Sequence, residues 1–209
     1  MEGFRTLPAL LVLAMIGLPT ACARPVDAGQ SGPASAHSPS AGPMTPAQLQ
    51  QRLIAYAGSL KQPLDLSQDS FSSTFGITLI PYEAGVAGGH ATRQHLTDDY
   101  MFYASVSAER GPTSFANHEV AVFQPGKKEL TEDPNAACFW EASRAGTQLQ
   151  ALGFERGIER PFQRGRRQEF WRPIGDGKQV FVVYLLTYAT DTPAPQTCVY
   201  AVRYSGGNQ

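Results

Sequence analysis

The stretch 133–154, DPNAACFWEASRAGTQLQALGF, restricts the possible folds of this chain more than any other. Cys138, Ala142, Ala145, Leu149 and Leu152 recur at steps of four, three, four and three, the spacing of one helical face. Such a face must lie on a core. Asp133 suits the N-cap, Pro134 the first helical position and Gly153 a left-handed C′ residue, which places Phe154 at C″ to fold back onto Leu149. The spacing predicts one amphipathic helix over 133–154 with a cysteine on its buried side.

Residues 1–23 read as a signal peptide: Arg5 supplies the positive start, and 7–18 (LPALLVLAMIGL) is an apolar run too short to cross a bilayer. The LPTACA that follows has two processing readings. Ala21-Cys22 resembles the end of a bacterial lipobox, with Cys22 acylated as the mature N-terminus, although Pro19 stands where a lipobox usually has Leu. Ala23 in second place then resembles lipoproteins sent to the outer membrane. Alternatively, Ala21-Cys22-Ala23 is a small-x-small site cut before Arg24, which leaves a soluble periplasmic or secreted product.

Of the three cysteines, Cys22 is acylated or discarded on either reading. Cys138 and Cys198 remain as an even pair in an oxidising compartment, where a disulfide is the expectation and two buried free thiols the alternative. No Cys-x-x-Cys supports a thioredoxin-like role. Residues 24–43, RPVDAGQSGPASAHSPSAGP, offer too few large apolar side chains to order themselves, so they read as a disordered tether in which His37 is solvated.

Residues 44–209 then form a single domain. Thr45, Pro46 and Gln48 are placed as N-cap, N1 and N3 of a capping box, with Met44 and Leu49 as a hydrophobic staple. Leu49, Leu53, Tyr56 and Leu60 continue that helix as a stripe, widened by Ile54 and Ala57. Past Lys61 the pattern turns to strands: 75–82, then 100–107 with Tyr100, Phe102, Ala104 and Val106 on one face, then 119–123. After the central helix, 169–174 and 180–188 flank Asp176-Gly177, a pair favouring a type I′ turn, and 197–204 points Cys198, Tyr200 and Val202 to one side. The run 180–186 is apolar on both faces, as in a central strand. The order αβββαβββ predicts an α+β fold, an antiparallel sheet of about five to six strands with two main helices packed on one face.

The net charge of −1 is too small for a generic nucleic-acid binder. The glycine-rich loop 84–99 carries His90, His95, Asp98 and Asp99, metal-ligand types whose spacing matches no metal signature and which read more simply as a polar surface loop. His118 beside Glu119 offers a base, but at a strand start it reads as exposed. Gly175-Asp176-Gly177-Lys178 resembles a phosphate loop without the Walker spacing, and is read as a turn. Nothing matches a nucleophile elbow or a zincin motif, so no catalytic residue and no cofactor are assigned.

The surface candidate is 154–172, where Arg156, Arg160, Arg164, Arg166, Arg167 and Arg172 alternate with Phe162, Phe170 and Trp171. Arginine and aromatic side chains are enriched at binding hot spots, and this set suits an acidic partner protein, with Arg164, Arg166, Arg167 and Trp171 as contacts. The alternative is a solvated connection whose aromatics enter the core of the next strand.

In its layout of signal, flexible tether and compact α+β domain, the chain resembles the small bacterial envelope lipoproteins that serve as immunity proteins against antibacterial effectors. That resemblance implies a periplasmic, non-enzymatic binding protein, held to the outer membrane only by its N-terminal lipid. Its partner would be another protein, a toxin blocked through the arginine-rich connection or the 84–99 loop. The competing expectations are a metal-dependent hydrolase using His90, His95 and Asp98, and a structural envelope lipoprotein.

Overall fold

Helix α1 (Pro46–Ser59) begins where the capping residues place it. Gln48 N donates to Thr45 Oγ1 at 3.1 Å, and Thr45 N donates to Gln48 Oε1 at 2.8 Å. Its expected stripe of Leu49, Leu53, Tyr56, Ala57 and Leu60 is buried. The computed structural model describes residues 43–84, 88–91, 93–108, 114–126, 130 and 137–208. The expected signal peptide 1–23 with Cys22, the expected tether apart from Pro43, and the expected caps Asp133 and Pro134 lie outside the described residues. No helix among the described residues is long and apolar enough to cross a membrane.

After α1 come a 3-10 turn (Pro63–Asp65), α2 (Gln68–Phe75), β1 (Leu79–Pro81), β2 (Gly88–Ala91), β3 (Gln94–His95), β4 (Met101–Ser107) and β5 (Asn117–Phe123). Helix α3 (Ala142–Ala151) precedes β6 (Glu155–Phe162), β7 (Gly165–Ile174), β8 (Gln179–Ala189) and β9 (Thr197–Asn208). The fold is α+β. Among the described residues, one sheet of nine strands has the order β1-β2-β4-β5-β9-β8-β7-β6, with β3 paired to β4 beside that path. All of these strand pairs are antiparallel.

This sheet is larger than the sequence predicts, and the order αβββαβββ is corrected in three places. Residues 75–82, expected as one strand, begin with the last residue of α2 and keep strand only at β1 (Leu79–Pro81). Ser67 Oγ accepts from Ser70 N at 3.2 Å to cap α2, Phe71 and Phe75 bury one turn apart, and Gly76 stops the helix at φ 65°. The 84–99 loop contains β2 and β3. The arginine-rich connection is the β6–β7 hairpin.

The central helix is shorter than 133–154. Ala142, Ala145 and Leu149 form its buried face, but Cys138 lies in a non-helical lead-in that bridges to the start of β9 at Glu141. Val199 N donates to the Trp140 carbonyl at 2.8 Å, so strand pairing satisfies this backbone and helical bonding starts only past Glu141. The C-terminal stop is as expected. Gly153 adopts φ 83°, while Phe154 N and Gly153 N donate to the carbonyls of Leu149 and Gln150 at 3.2 and 2.9 Å, a Schellman motif. Cys138 and Cys198 form a disulfide with Cα atoms 5.5 Å apart, which pins the lead-in rather than the helix to β9.

The β7–β8 connection is a four-residue loop between Ile174 and Gln179. Gly175 and Gly177 have positive φ there but Asp176 does not, so Asp176-Gly177 is not a type I′ pair.

Strand pairing aligns His118, Tyr204, Val183 and Phe170 in one cross-strand row over β5, β9, β8 and β7. The helices pack on this row. The Tyr56 ring of α1 meets Tyr204 at 4.8 Å between centroids, Phe71 of α2 lies 4.8 Å from His118, and a Cβ on Gly146 of α3 would stand 2.9 Å from Phe170 Cζ. The adjoining row, one residue along each strand, faces away from the helices.

Candidate functional site

That outward row runs Ile80, His90, Ser105, Glu119, Arg203, Tyr184 and Glu169 across β1, β2, β4, β5, β9, β8 and β7. At its centre Arg203 donates from Nε to Glu119 Oε2 at 2.7 Å, with Nη2 at 2.5 Å from the same oxygen. Tyr103 Oη donates to Glu119 Oε1 at 3.1 Å. Burial first, and the Glu119 carboxylate second, push the Tyr103 phenol up to about 12, so it stays a donor at neutral pH.

Beside this network is a groove of about 410 Å³, lined by Arg93, Ala121, Gln124, Leu186 and the hairpin end Phe162-Gln163 as well as by Tyr103, Glu119 and Arg203. Tyr200 lines it too, contrary to its expected position with Cys198 and Val202. A β-bulge sets Leu186 opposite Ala201 and Thr187 opposite Val199, leaving Tyr200 as the extra residue. Its hydroxyl donates to Gln163 Oε1 at 3.0 Å, tying β9 to the β6–β7 turn.

The arginine-rich hairpin forms the far edge of the same face, and the structure divides the predicted contact residues. Arg167 pairs with Leu186 in register and places its guanidinium 4.8 Å from the centre of the Tyr184 ring; Trp171 pairs with Val182 on that face. Arg166 has the opposite parity and is ion-paired to Glu159, which also takes Arg156 at 3.3 Å. Arg164 sits in the turn after Gln163, which has φ 52°. Arg172 is structural: it donates from Nη1 to the Leu152 carbonyl at 2.8 Å and from Nη2 to the Leu60 carbonyl, under the Phe154 ring.

Two arginines, Arg160 and Arg167, stand directly opposite each other on β6 and β7. Neither is ion-paired to a carboxylate among the described residues. Like charges facing across a ladder are unfavourable, so this edge is poised for negative charge.

The histidine candidates do not converge. His90 stacks on Tyr82 at 5.1 Å in the outward row, His95 is exposed on β3, and Asp98 and Asp99 occupy left-handed backbone at φ 61° and 58°. No group of three or more His, Cys, Asp or Glu among the described residues could hold a metal ion. His118 is corrected from exposed to fully buried. Its Nδ1 shares a 2.6 Å hydrogen bond with Tyr56 Oη, and burial pushes its pKa down to about 4. A neutral imidazole sealed under α1 and α2 is a core group, not a solvent-facing base.

Sequence reasoning misses the groove because its residues come from strands far apart in the chain. Glu119 and Arg203 become neighbours only through the β5–β9 register. Comparison of the chain with protein-family models, with curated proteins and with solved structures finds no match.

Proposed function

We propose that this chain is a non-enzymatic binding protein of the immunity or inhibitor type, exported to the periplasm and tethered to the outer membrane through lipidated Cys22. It captures an acidic protein, such as a secreted antibacterial effector, on the helix-free face of its sheet. The observation that carries this reading is the facing pair Arg160 and Arg167, with Tyr184 beneath and Trp171 on the same face, a grouping of residue types that dominate protein contacts. The disulfide and the continuous sheet supply a rigid platform, which lowers the ordering cost of association.

Affinity capture from envelope extract with the Cys22→Ser form tests this directly. The expected result is an acidic protein that is retained by the native hairpin and lost from the Arg160→Ser/Arg167→Ser variant. A partner retained equally by both forms, or none at micromolar concentration, overturns the reading. A partner present in every extract, rather than one delivered by competitors, identifies a structural envelope role instead. Palmitate labelling of the wild-type chain and its loss in Cys22→Ser test the tether.

A further inference from the structure

The groove is chemically distinct from the hairpin edge, since neither Arg160 nor Arg167 lines it. At about 410 Å³ it falls in the range of small-molecule sites. Its floor is already fixed: Glu119 commits one oxygen to Tyr103 and the other to Arg203. Arg93 holds its guanidinium 5.1 Å from the centre of the Phe123 ring. Among the described residues the lining therefore sets two guanidiniums against one carboxylate, an excess of one positive charge.

The walls add two further requirements. Phe162 and Tyr200 contribute aromatic rings, and the Gln163 hydrogen bond holds Tyr200 in place. Gln124, only 9 % exposed, also lines the groove, and its Oε1 has no hydrogen-bond partner among the described residues. An unpaired buried acceptor is destabilising until a donor reaches it. The terminal amide torsion is soft, so a modest rotation brings that oxygen to a donor placed in the groove.

We infer that this groove binds a small monocarboxylate that also carries a hydrogen-bond donor and an apolar face. The carboxylate meets the arginines, the donor satisfies Gln124, and the apolar face lies on Phe162 and Tyr200. Two sources offer this chemistry: an acidic sugar, through its hydroxyls and ring carbons, and an N-acylated amino acid, through its amide N–H and side chain. Occupancy of the groove does not depend on the proposed protein partner.

Calorimetric titration of the purified chain with D-glucuronate and N-acetyl-alanine, each against its neutral counterpart D-glucose or N-acetyl-alanine amide, tests the assignment. At least one acid binds about tenfold tighter than its neutral counterpart, as expected for a charged hydrogen bond. Glucuronate alone identifies the sugar source, N-acetyl-alanine alone the acylated amino acid, and both together the shared chemistry. Gln124→Leu weakens that binding about tenfold without lowering the melting temperature, because it deletes the unpaired acceptor. Arg93→Gln narrows the gap between acid and neutral ligand. No binding of either acid up to about 10 mM, or binding unchanged in both variants, overturns the inference.

Discussion

His118 and Tyr56 share a 2.6 Å hydrogen bond between the inner face of β5 and the underside of α1. His118 Nε2, also buried, has no partner among the described residues. The titratable groups facing this imidazole are the phenols of Tyr56 and Tyr204, both pushed up by burial and hence neutral, so nothing beside it offsets a positive charge.

Acid should therefore weaken the fold through this one residue. With the pKa at about 4 in the folded chain and near 6.5 when unfolded, the unfolded state alone takes up a proton in between. The stability is fully present above pH 6.5 and is lost as pH falls toward 4, by about 3 kcal/mol. Urea unfolding across this range should show that slope in the wild type and a much shallower one in His118→Leu/Tyr56→Phe.

The disulfide closes a separation of 60 residues, which in the chain-entropy model corresponds to about 4 kcal/mol. Cys138→Ala/Cys198→Ala should lower the urea midpoint accordingly. A shift under about 1 kcal/mol would show that pairing of the lead-in with β9 suffices without the covalent link.

Gly165 opens β7 where it passes β8 so closely that a Cβ would collide with the Thr187 carbonyl oxygen. Backbone cannot yield as a flexible side chain does. Gly165→Ala should cost roughly 3 kcal/mol or more, read as a fall in melting temperature, whereas Arg164→Ala one residue earlier should cost far less.

The facing arginines predict a gain rather than a loss. Arg160→Glu turns a repulsive cross-strand pair into an attractive one and should stabilise the chain by about 0.5 kcal/mol at low ionic strength. The gain should vanish in about 1 M salt, where the screening length falls to roughly 3 Å. The same variant should abolish capture of an acidic partner, separating the folding role of the site from its binding role.

Much of the fold is legible in the chain because the signals are local. The capping box at Thr45, the alternation of Tyr100, Phe102, Ala104 and Val106, and the Gly153 stop each depend on residues within a turn or a strand. Even the disulfide follows from counting cysteines. What fails is whatever depends on partners distant in sequence. Cys138 falls in step with the helical stripe by spacing alone, while its segment stays non-helical and bridges to β9 at Glu141. The β6–β7 hairpin hides because β6 is an edge strand with a bulge between Arg156 and Glu159, solvated enough to lose the period of two. His118 looks like a surface residue until α1 and α2 are placed over it.

The position of β9 has a consequence for how the molecule comes together. Among the described residues it is the only strand joining β4–β5 to β8–β7, and its Tyr204 hydroxyl donates to the Leu53 carbonyl 151 residues earlier at 2.8 Å. A chain emerging from its N-terminus must hold both wings of the sheet open, their apolar faces unsealed, until 197–208 arrives. Completion then waits on pairings of long sequence separation, and a chaperone that shields the waiting β5 and β8 edges would act at that step.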